Sequence, residues 1–386
     1  MRITAIVERP VTLHGAPANA VVDFSGHTVS LVALRSDVIR AGKPVTGVAF
    51  DSIGRFAQSG ILRDRMIPRV LDADPHTLLD NSGRIDPAEV LACALRGEKP
   101  GGHGDRAAAA AALELACWDL NAKLADEPAC VTIAGHFGRR PAAAVEVYAA
   151  GGYYHPEGGC ERLRAEVRGY LDAGYDAVKM KIGGAGLRED LRRVESVVDI
   201  VGDAGRVAVD ANGRFDRPEA TRWAAALAPC GLRWYEEPGD PLDFELNRAV
   251  TAGYDGAVAT GENLFSTQDV TNLVRYGGMR PGRDVFQMDA GLSYGLSEYA
   301  RMLDVLESNG FDRRFVFPHG GHLLNLHIAA GLGLGGCESY PGVFAPFGGY
   351  PDRCAPVGGR IAPTDAPGFG LEQKADLAGL IAQLTE

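Results

Sequence analysis

The chain has 386 residues, of which 46% are hydrophobic and 23% are charged. A net charge of −11 at pH 7 argues against nucleic acids and anionic membranes as main partners, and no apolar stretch reaches the roughly 18 residues of a membrane-spanning helix. Seven scattered cysteines without a CxxC pair, together with an N-terminus that lacks a signal peptide, predict a cytoplasmic protein.

The first third of the chain predicts an α+β domain, residues 1–130. Apolar positions alternate in RITAIVE, NAVVDFSGHTVSLVAL and VTGVAF, which is typical of strands in an antiparallel sheet. The stretch DPAEVLACALRG predicts a helix with Asp86 as N-cap and Pro87 at its first position. A long Ala-rich helix, DRAAAAAALELACWDLNAKLA, follows.

From about residue 145, short strands alternate with amphipathic helical segments. The predicted strands begin near 145, 178, 206, 233, 257, 285, 314 and 336, with seven helices between them. Eight strands alternating with helices close a barrel, so the predicted class is α/β with a TIM-type barrel, (β/α)₇β, over residues 140–343. The Pro- and Gly-rich segment 344–386 is predicted to pack back on the first domain.

Three successive barrel strands end in carboxylates. VAVDANG contains Asp210, RWYEEP contains Glu236 and VATGEN contains Glu262, each one βα unit after the last. Any one of them alone is better explained as a helix cap or a surface group. Together, at the end of the barrel where the strands terminate, they would repel without a cation, and Mg²⁺ prefers such oxygen ligands. Alternation along the strand favours Glu236 over Glu237 as the residue that enters the site.

Two lysines lie one residue apart in AVKMKIGG. Lys179 and Lys181 would share one face of a strand, where mutual repulsion lowers the pKa of at least one and makes it available as a base. The alternative is an edge strand whose lysines deter aggregation. The rest of the barrel favours the base.

The sixth and seventh barrel strands carry an acid and a histidine. Asp289 lies in FQMDAG and His319 in VFPHGG. A carboxylate that orients an imidazole makes it a competent acid or base, and strand seven lies roughly across the barrel mouth from the lysines of strand two. His322 and His327 fall in the next helix, where packing is favoured over a second metal site.

Lysines on strand two, acids on strands three to five, an Asp–His pair on six and seven and Glu338 on strand eight resemble the enolase superfamily, mandelate racemase subgroup. The resemblance covers nearly the whole chain, including GEKPGGHGDR, VYAAGGYY and PHGGHLLNLHIAAGLGLGG. It implies that residues 1–130 cap the barrel mouth and are completed by the tail. It further implies a Mg²⁺ cofactor and a small hydroxy-acid substrate, and we expect a homo-oligomer.

The implied reaction is the dehydration of a 2,3-dihydroxy acid, D-tartrate to oxaloacetate above others, by a lyase. Lys181 would remove the α-proton with Lys179 beside it, and His319, charged through Asp289, would protonate the departing hydroxyl. Alternatives that remain open are a racemase or epimerase, a dehydratase of another acid sugar, and a non-catalytic barrel that binds a metal or sugar acid.

Four further residues are expected to contact the substrate. Asn212 lies on the metal-facing side with Asp210, and Glu338 would bond a carboxylate oxygen if protonated or paired with a cation. Lys99 and Arg55, both in the capping region, are candidates for a second substrate carboxylate. The alternative for Lys99 and Arg55 is an ordinary surface cation.

Overall fold

In the computed structural model, which describes residues 1–154 and 159–385, the chain begins with a three-stranded antiparallel sheet. Its strands are β1 (Ile3–Thr12), β2 (Thr28–Arg40) and β3 (Lys43–Phe50), with β2 in the centre. The predicted strand from residue 19 begins only at Thr28. Upstream, the Asn19 side chain accepts the backbone N–H groups of Val21 and Val22, which forms a turn in place of a ladder.

Helices follow this first sheet, and α1, α2 and α4 contact it. They are α1 (Ser59–Ile61), α2 (Ile67–Leu71), α3 (Pro87–Ala94), α4 (Asp105–Ala125) and α5 (Ala129–His136), with a π-helical turn Leu62–Met66 and a 3₁₀ turn Pro75–Leu78. Helix α4 has the bounds that the sequence predicts. Its small alanines allow close approach to β3, where Gly47 lies so near the backbone of Ala116 that no side chain would fit.

In the described residues that follow, seven parallel strands form the barrel. They are β4 (Val145–Gly151), β5 (Val178–Lys181), β6 (Val207–Asp210), β7 (Tyr235–Glu236), β8 (Val258–Thr260), β9 (Val285–Phe286) and β10 (Cys337–Ser339). Their order is β10-β4-β5-β6-β7-β8-β9, which confirms the predicted fold class.

Residues 316–318 fill the eighth place in the barrel without forming a regular strand. Val316 makes a single parallel bridge to Phe286, and the Glu338 N–H donates to the Pro318 carbonyl at 3.1 Å. Pro318 has no N–H to donate toward β10, so no regular ladder forms on that side, whereas on the β9 side the N–H groups of Phe317 and His319 donate to the Phe286 and Gln287 carbonyls at 2.9 and 3.4 Å. The strand predicted near 314 is therefore reduced to this bridge, and the barrel closes through it.

Among residues 159–385, seven helices connect these strands, as predicted. They are α6 (Gly159–Asp172), α7 (Leu187–Val201), α8 (Arg217–Leu227), α9 (Phe244–Gly253), α10 (Thr267–Tyr276), α11 (Leu296–Ser308) and α12 (Leu323–Leu332). Within the described part of the chain, none of the helices combines the length and apolar character needed to cross a membrane.

The last segment contacts both parts of the molecule. Strand β11 (Arg360–Ile361) pairs antiparallel with β4, and helix α13 (Ala375–Thr385) returns to the first sheet. There the Arg35 guanidinium donates to the Leu384 carbonyl at 2.8 Å. The domain boundaries at 130, 140 and 343 stay predictions.

Candidate active site

Three carboxylates converge where β6, β7 and β8 end. One oxygen each from Asp210, Glu236 and Glu262 lies within 4.8 Å of the others. Asp210 pairs with Glu236 in the sheet register. Glu236 Oε2 accepts hydrogen bonds from Trp234 Nε1 at 2.8 Å and from Gln287 Nε2 at 2.7 Å. Burial and the charge of Asp210 raise the pKa of Glu236. Three carboxylate oxygens this close together, two of them from buried residues, fit a hard divalent cation such as Mg²⁺.

The two lysines of β5 both reach this cluster. Lys179 Nζ lies 3.3 Å from Asp210 Oδ2 and 2.7 Å from Glu338 Oε1, while Lys181 Nζ lies 2.6 Å from Asp210 Oδ2. Strand β5 is paired on both sides, with β4 and with β6. The edge-strand explanation of the lysines is therefore wrong.

The pKa of Lys181 departs from the sequence-based expectation. Burial lowers it, the Asp210 carboxylate raises it and Lys179 lowers it again; the carboxylate prevails, and the pKa lies above its usual value. Lys179 thus lowers the pKa of Lys181, as expected. The Asp210 carboxylate on the neighbouring strand has the larger effect, and alternation within β5 does not reveal it. A cation on Asp210 would offset that negative charge.

His319 lies on the other side of the site, just past residues 316–318. Its Nδ1 is 3.2 Å from Asp289 Oδ2, and its Nε2 is 2.9 Å from the hydroxyl of Tyr340. Burial lowers the pKa of His319, but Glu262 and Asp289 raise it more, to about 9. The structure thus brings the Asp–His pair together, and it adds Tyr340, which sequence reasoning missed. Tyr340 shares the i, i+2 face of Glu338, a signal that was available.

A cavity of about 130 Å³ opens above these groups. Both parts of the chain line it: Asn19, Val22, Phe24, Ile53, Gly54 and Arg55 from the first region, and Tyr153, Lys181, Asn212, Glu237, Glu262, Asn263, His319, Tyr340 and Phe344 from the rest. The region before the barrel therefore covers the barrel mouth, and Lys181, His319 and one carboxylate of the triad, Glu262, line the same cavity.

The family model described as enolase C-terminal domain-like matches residues 162–377. The chain belongs to the enolase superfamily. Among curated relatives, an L-talarate/galactarate dehydratase of Salmonella typhimurium is 29% identical over 62% of this chain, which spans only 56% of that enzyme's length. A 3,6-anhydro-α-L-galactonate cycloisomerase of Streptomyces coelicolor is 30% identical over 73% of both chains.

Solved structures share the whole architecture of this enolase-superfamily chain. A racemase of Streptomyces coelicolor with bound magnesium superposes with a TM-score of 0.79 at 24% identity, covering 100% of both chains. An L-talarate dehydratase of Polaromonas, complexed with Mg and L-glucarate, gives a TM-score of 0.78 at 23% identity, covering 96% of this chain and 94% of that one. At these identities the likeness establishes the fold.

The structure brings Arg55 to the cavity but not Lys99. Arg55 Nη2 donates to Asn263 Oδ1 at 2.7 Å, and its guanidinium lies 5.0 Å from the centre of the Phe265 ring. Lys99 is exposed and lines a different pocket, beside His103 and Arg106. The loop that carries Lys99 turns toward Tyr294, whose hydroxyl accepts from Arg106 Nε at 3.0 Å.

Asn212 and Glu338 both contact charged partners of the site. Asn212 lines the cavity, and its Nδ2 donates to Asp210 Oδ2 at 3.2 Å. Glu338 lies deeper, where Lys179 pairs with Oε1 and the Gly320 N–H donates to Oε2 at 3.0 Å. Burial raises the pKa of Glu338, but Lys179 and His319 lower it more, so the carboxylate is ionised and paired with a cation.

Glu237 lines the cavity, which strand alternation did not predict, while Glu236 lies in the carboxylate cluster with Asp210 and Glu262. Strand β7 ends at Glu236, and Glu237 has a φ of 38°, so the chain turns and alternation no longer applies. Its Oε1 accepts from Asn263 Nδ2 at 2.9 Å. Asn263 thus connects Glu237 to Arg55 along the cavity wall.

The remaining histidines of α12 serve packing and capping. His322 is the N-cap of α12, and its Nε2 lies 2.8 Å from Ser52 Oγ. His327 Nδ1 accepts from the Cys130 N–H at 3.3 Å, and its Nε2 lies 3.1 Å from Thr364 Oγ1. These contacts use both ring nitrogens of His327.

Proposed function

We propose that this chain is a Mg²⁺-dependent acid-sugar dehydratase, a hydro-lyase that acts on 2,3-dihydroxy acids. The observation that carries the proposal is that Lys181 and His319 line one cavity beside three converging carboxylates. Around the barrel, β4 and β10 lie between β5 and residues 316–318 in one direction, and the four strands β6 to β9 lie between them in the other. A base and an acid can therefore reach opposite sides of one substrate. Acid-sugar dehydratases among the relatives support the same reaction class.

In the proposed reaction, Lys181 Nζ removes the proton from the α-carbon of the substrate. Asp210, Glu236 and Glu262 would hold Mg²⁺, which when bound supplies Lewis-acid stabilisation of the charge that develops on the substrate carboxylate. Lys179 keeps a second positive charge beside the same carboxylate. Glu338 holds Lys179 in place, since it pairs with Lys179 Nζ at 2.7 Å.

The second half of the reaction belongs to His319. Its Nε2 donates a proton to the β-hydroxyl, the carbon–oxygen bond breaks and water leaves. The electron pair left at the α-carbon forms the double bond of an enol, which tautomerises to a 2-keto acid. Asp289 orients the imidazole through Nδ1, which leaves Nε2 to face the cavity.

We propose D-tartrate as the substrate, which would give oxaloacetate. The motifs GEKPGGHGDR, VKMKIGG and WYEEPGDP resemble those of D-tartrate dehydratase, and the 130 Å³ cavity is well below the roughly 300–1,000 Å³ usual for larger ligands. Arg55 is a cation on the capping side that suits a second carboxylate. Lys99, outside the cavity, is not needed for this role.

A panel of acid sugars, assayed with Mg²⁺ and semicarbazide for keto-acid formation, tests both the reaction and the substrate. We expect D-tartrate to turn over best and activity to stop when EDTA removes the metal. In R55Q, KM for D-tartrate should rise about tenfold, whereas KM for a monocarboxylic acid sugar should change little. A strong preference of the wild type for a six-carbon monoacid would refute the D-tartrate assignment.

A racemase or epimerase is the second candidate, because a base and an acid that face each other across a cavity can also pass a proton through the α-carbon. Incubation in D₂O separates the two functions. Deuterium at the α-carbon with inversion and without keto acid indicates racemisation, whereas keto-acid formation indicates dehydration. A non-catalytic binder would do neither.

A further inference from the structure

Ser52, a residue of the capping region, contacts the Asp289–His319 pair directly. It lies two residues after the end of β3 and is fully buried. Its Oγ lies 2.5 Å from Asp289 Oδ2, the oxygen that His319 Nδ1 also approaches, and its backbone N–H donates to the Gly291 carbonyl at 3.2 Å. A residue outside the barrel therefore holds the carboxylate that orients the histidine.

One arrangement of hydrogens satisfies the contacts around Ser52. Asp289 is ionised, since the hydrogen bond and the charge of His319 and the hydrogen bond from Ser52 lower its pKa against the effect of burial, so the single hydroxyl hydrogen of Ser52 is donated to it. His322 Nε2, 2.8 Å from Ser52 Oγ, must then be the donor to that oxygen. His322 Nδ1 is left as the acceptor for the Asn325 N–H at 3.5 Å. Asn325 Nδ2 closes the ring by donating to Asp289 Oδ1 at 3.0 Å.

We propose that Ser52 is a positioning residue for the proton donor, and that through it the capping loop holds Asp289 and His319 in working orientation. The inference rests on the proposed function. The next three residues of the same loop line the cavity, so substrate contact on the capping side and the orientation of His319 depend on one segment. Packing fixes the hydroxyl further, because a Cβ placed on Gly320 would lie only 2.7 Å from Ser52 Oγ.

Ser30 offers a matched control. It is also fully buried in the capping region, and its Oγ donates to the carboxylate of Glu8 at 2.8 Å. Neither Ser30 nor Glu8 lines the cavity. S30A and S52A each remove one buried hydroxyl bonded to a carboxylate, so a merely structural role predicts similar losses of stability and activity for both variants.

The kinetic test compares S52A with S30A on the substrate that the wild type dehydrates. In S52A we expect kcat for keto-acid formation to fall about ten- to a hundredfold, KM to stay within about twofold, and exchange of the α-proton in D₂O to be retained. In S30A kcat should stay close to the wild-type value. Equal kcat values for the two variants, or equal losses of elimination and exchange in S52A, would overturn the inference.

A second readout is independent of catalysis. ¹⁵N spectra of histidine-labelled full-length protein should show His322 neutral with its proton on Nε2, and this proton should exchange faster with water in S52A than in S30A. A proton on Nδ1 in the wild type would refute the hydrogen-bond chain. If the wild type forms no keto acid from any acid sugar, the dehydratase proposal fails, while these spectra still decide whether Ser52 connects His322 to Asp289.

Discussion

The two sides of the candidate site are built in different ways. On the metal side, paired strands supply most of the groups: Lys181 lies opposite Asp210, and Asp210 lies opposite Glu236 in the sheet register. On the acid side, His319 and Asp289 lie beyond the regular strand pairs, and Ser52 reaches them from the capping region. Strand geometry assembles most of the first side, with Glu262 two residues past the end of β8, whereas the second depends on contacts between distant segments.

The largest effect should come from the metal side, with K181M. Loss of the base should lower kcat by about 10³- to 10⁴-fold and abolish α-proton exchange in D₂O. K99M is the matched control, because Lys99 lies in another pocket, and it should retain wild-type kcat and KM. A strong defect in K99M would mean that the capping loop reaches the cavity during turnover.

The acid side should fail at a different step. In H319N, keto-acid formation should fall about 10²- to 10³-fold while α-proton exchange persists, because Lys181 remains in place. Keto-acid assays and NMR detection of deuterium at the α-carbon measure the two steps separately. H76N, at an exposed histidine of the capping region, should leave both unchanged. Equal loss of both steps in H319N would show that the two sides do not act separately.

The capping region should also stabilise the acid side through Glu114. This buried carboxylate of α4 accepts the backbone N–H groups of Leu296 and Ser297 at 2.9 and 3.0 Å, at the N-terminus of α11. E114Q replaces an acceptor with a donor amide and removes the charge that favours this helix end, so unfolding free energy should fall by about 2–3 kcal/mol. Urea denaturation measures it, with E89Q, at an exposed first-turn position of α3, as the control expected within about 0.5 kcal/mol.

The smallest effect concerns pH. Burial lowers the pKa of His327 to about 3 in the folded chain, against about 6.5 when unfolded. Below pH 6.5 His327 binds a proton in the unfolded chain but not in the folded one, so the free energy of unfolding decreases as pH falls. Between pH 7.5 and 5.0 this decrease amounts to about 2 kcal/mol. H327Q should lose that part of the pH dependence in urea titrations, whereas the exposed-site variant H76Q should keep it. An unchanged pH slope in H327Q would show that His327 is not the group responsible.

Sequence patterns predicted the features that depend on local repetition. Helix α4, the seven connecting helices and the start of each paired barrel strand follow from hydrophobic period and caps. The pair Lys179 and Lys181 follows from the two-residue repeat of a strand. Where a strand ends, this logic fails: Glu237 enters the cavity because its backbone turns. Near residue 314 the predicted strand is reduced to one bridge, because Pro318 offers no N–H toward β10.

The sequence alone determined the class of fold and the chemical types at its strand ends, because periodicity of two or 3.6 residues is set by the local backbone. The tertiary structure decided which of two capping-region cations, Arg55 or Lys99, lines the cavity, and it placed Ser52 against Asp289. It also placed the Asp210 carboxylate beside Lys181, which raises the pKa of that lysine. These outcomes depend on side chains that are far apart in the chain and meet only after folding. A pattern along the sequence does not specify the distances between them.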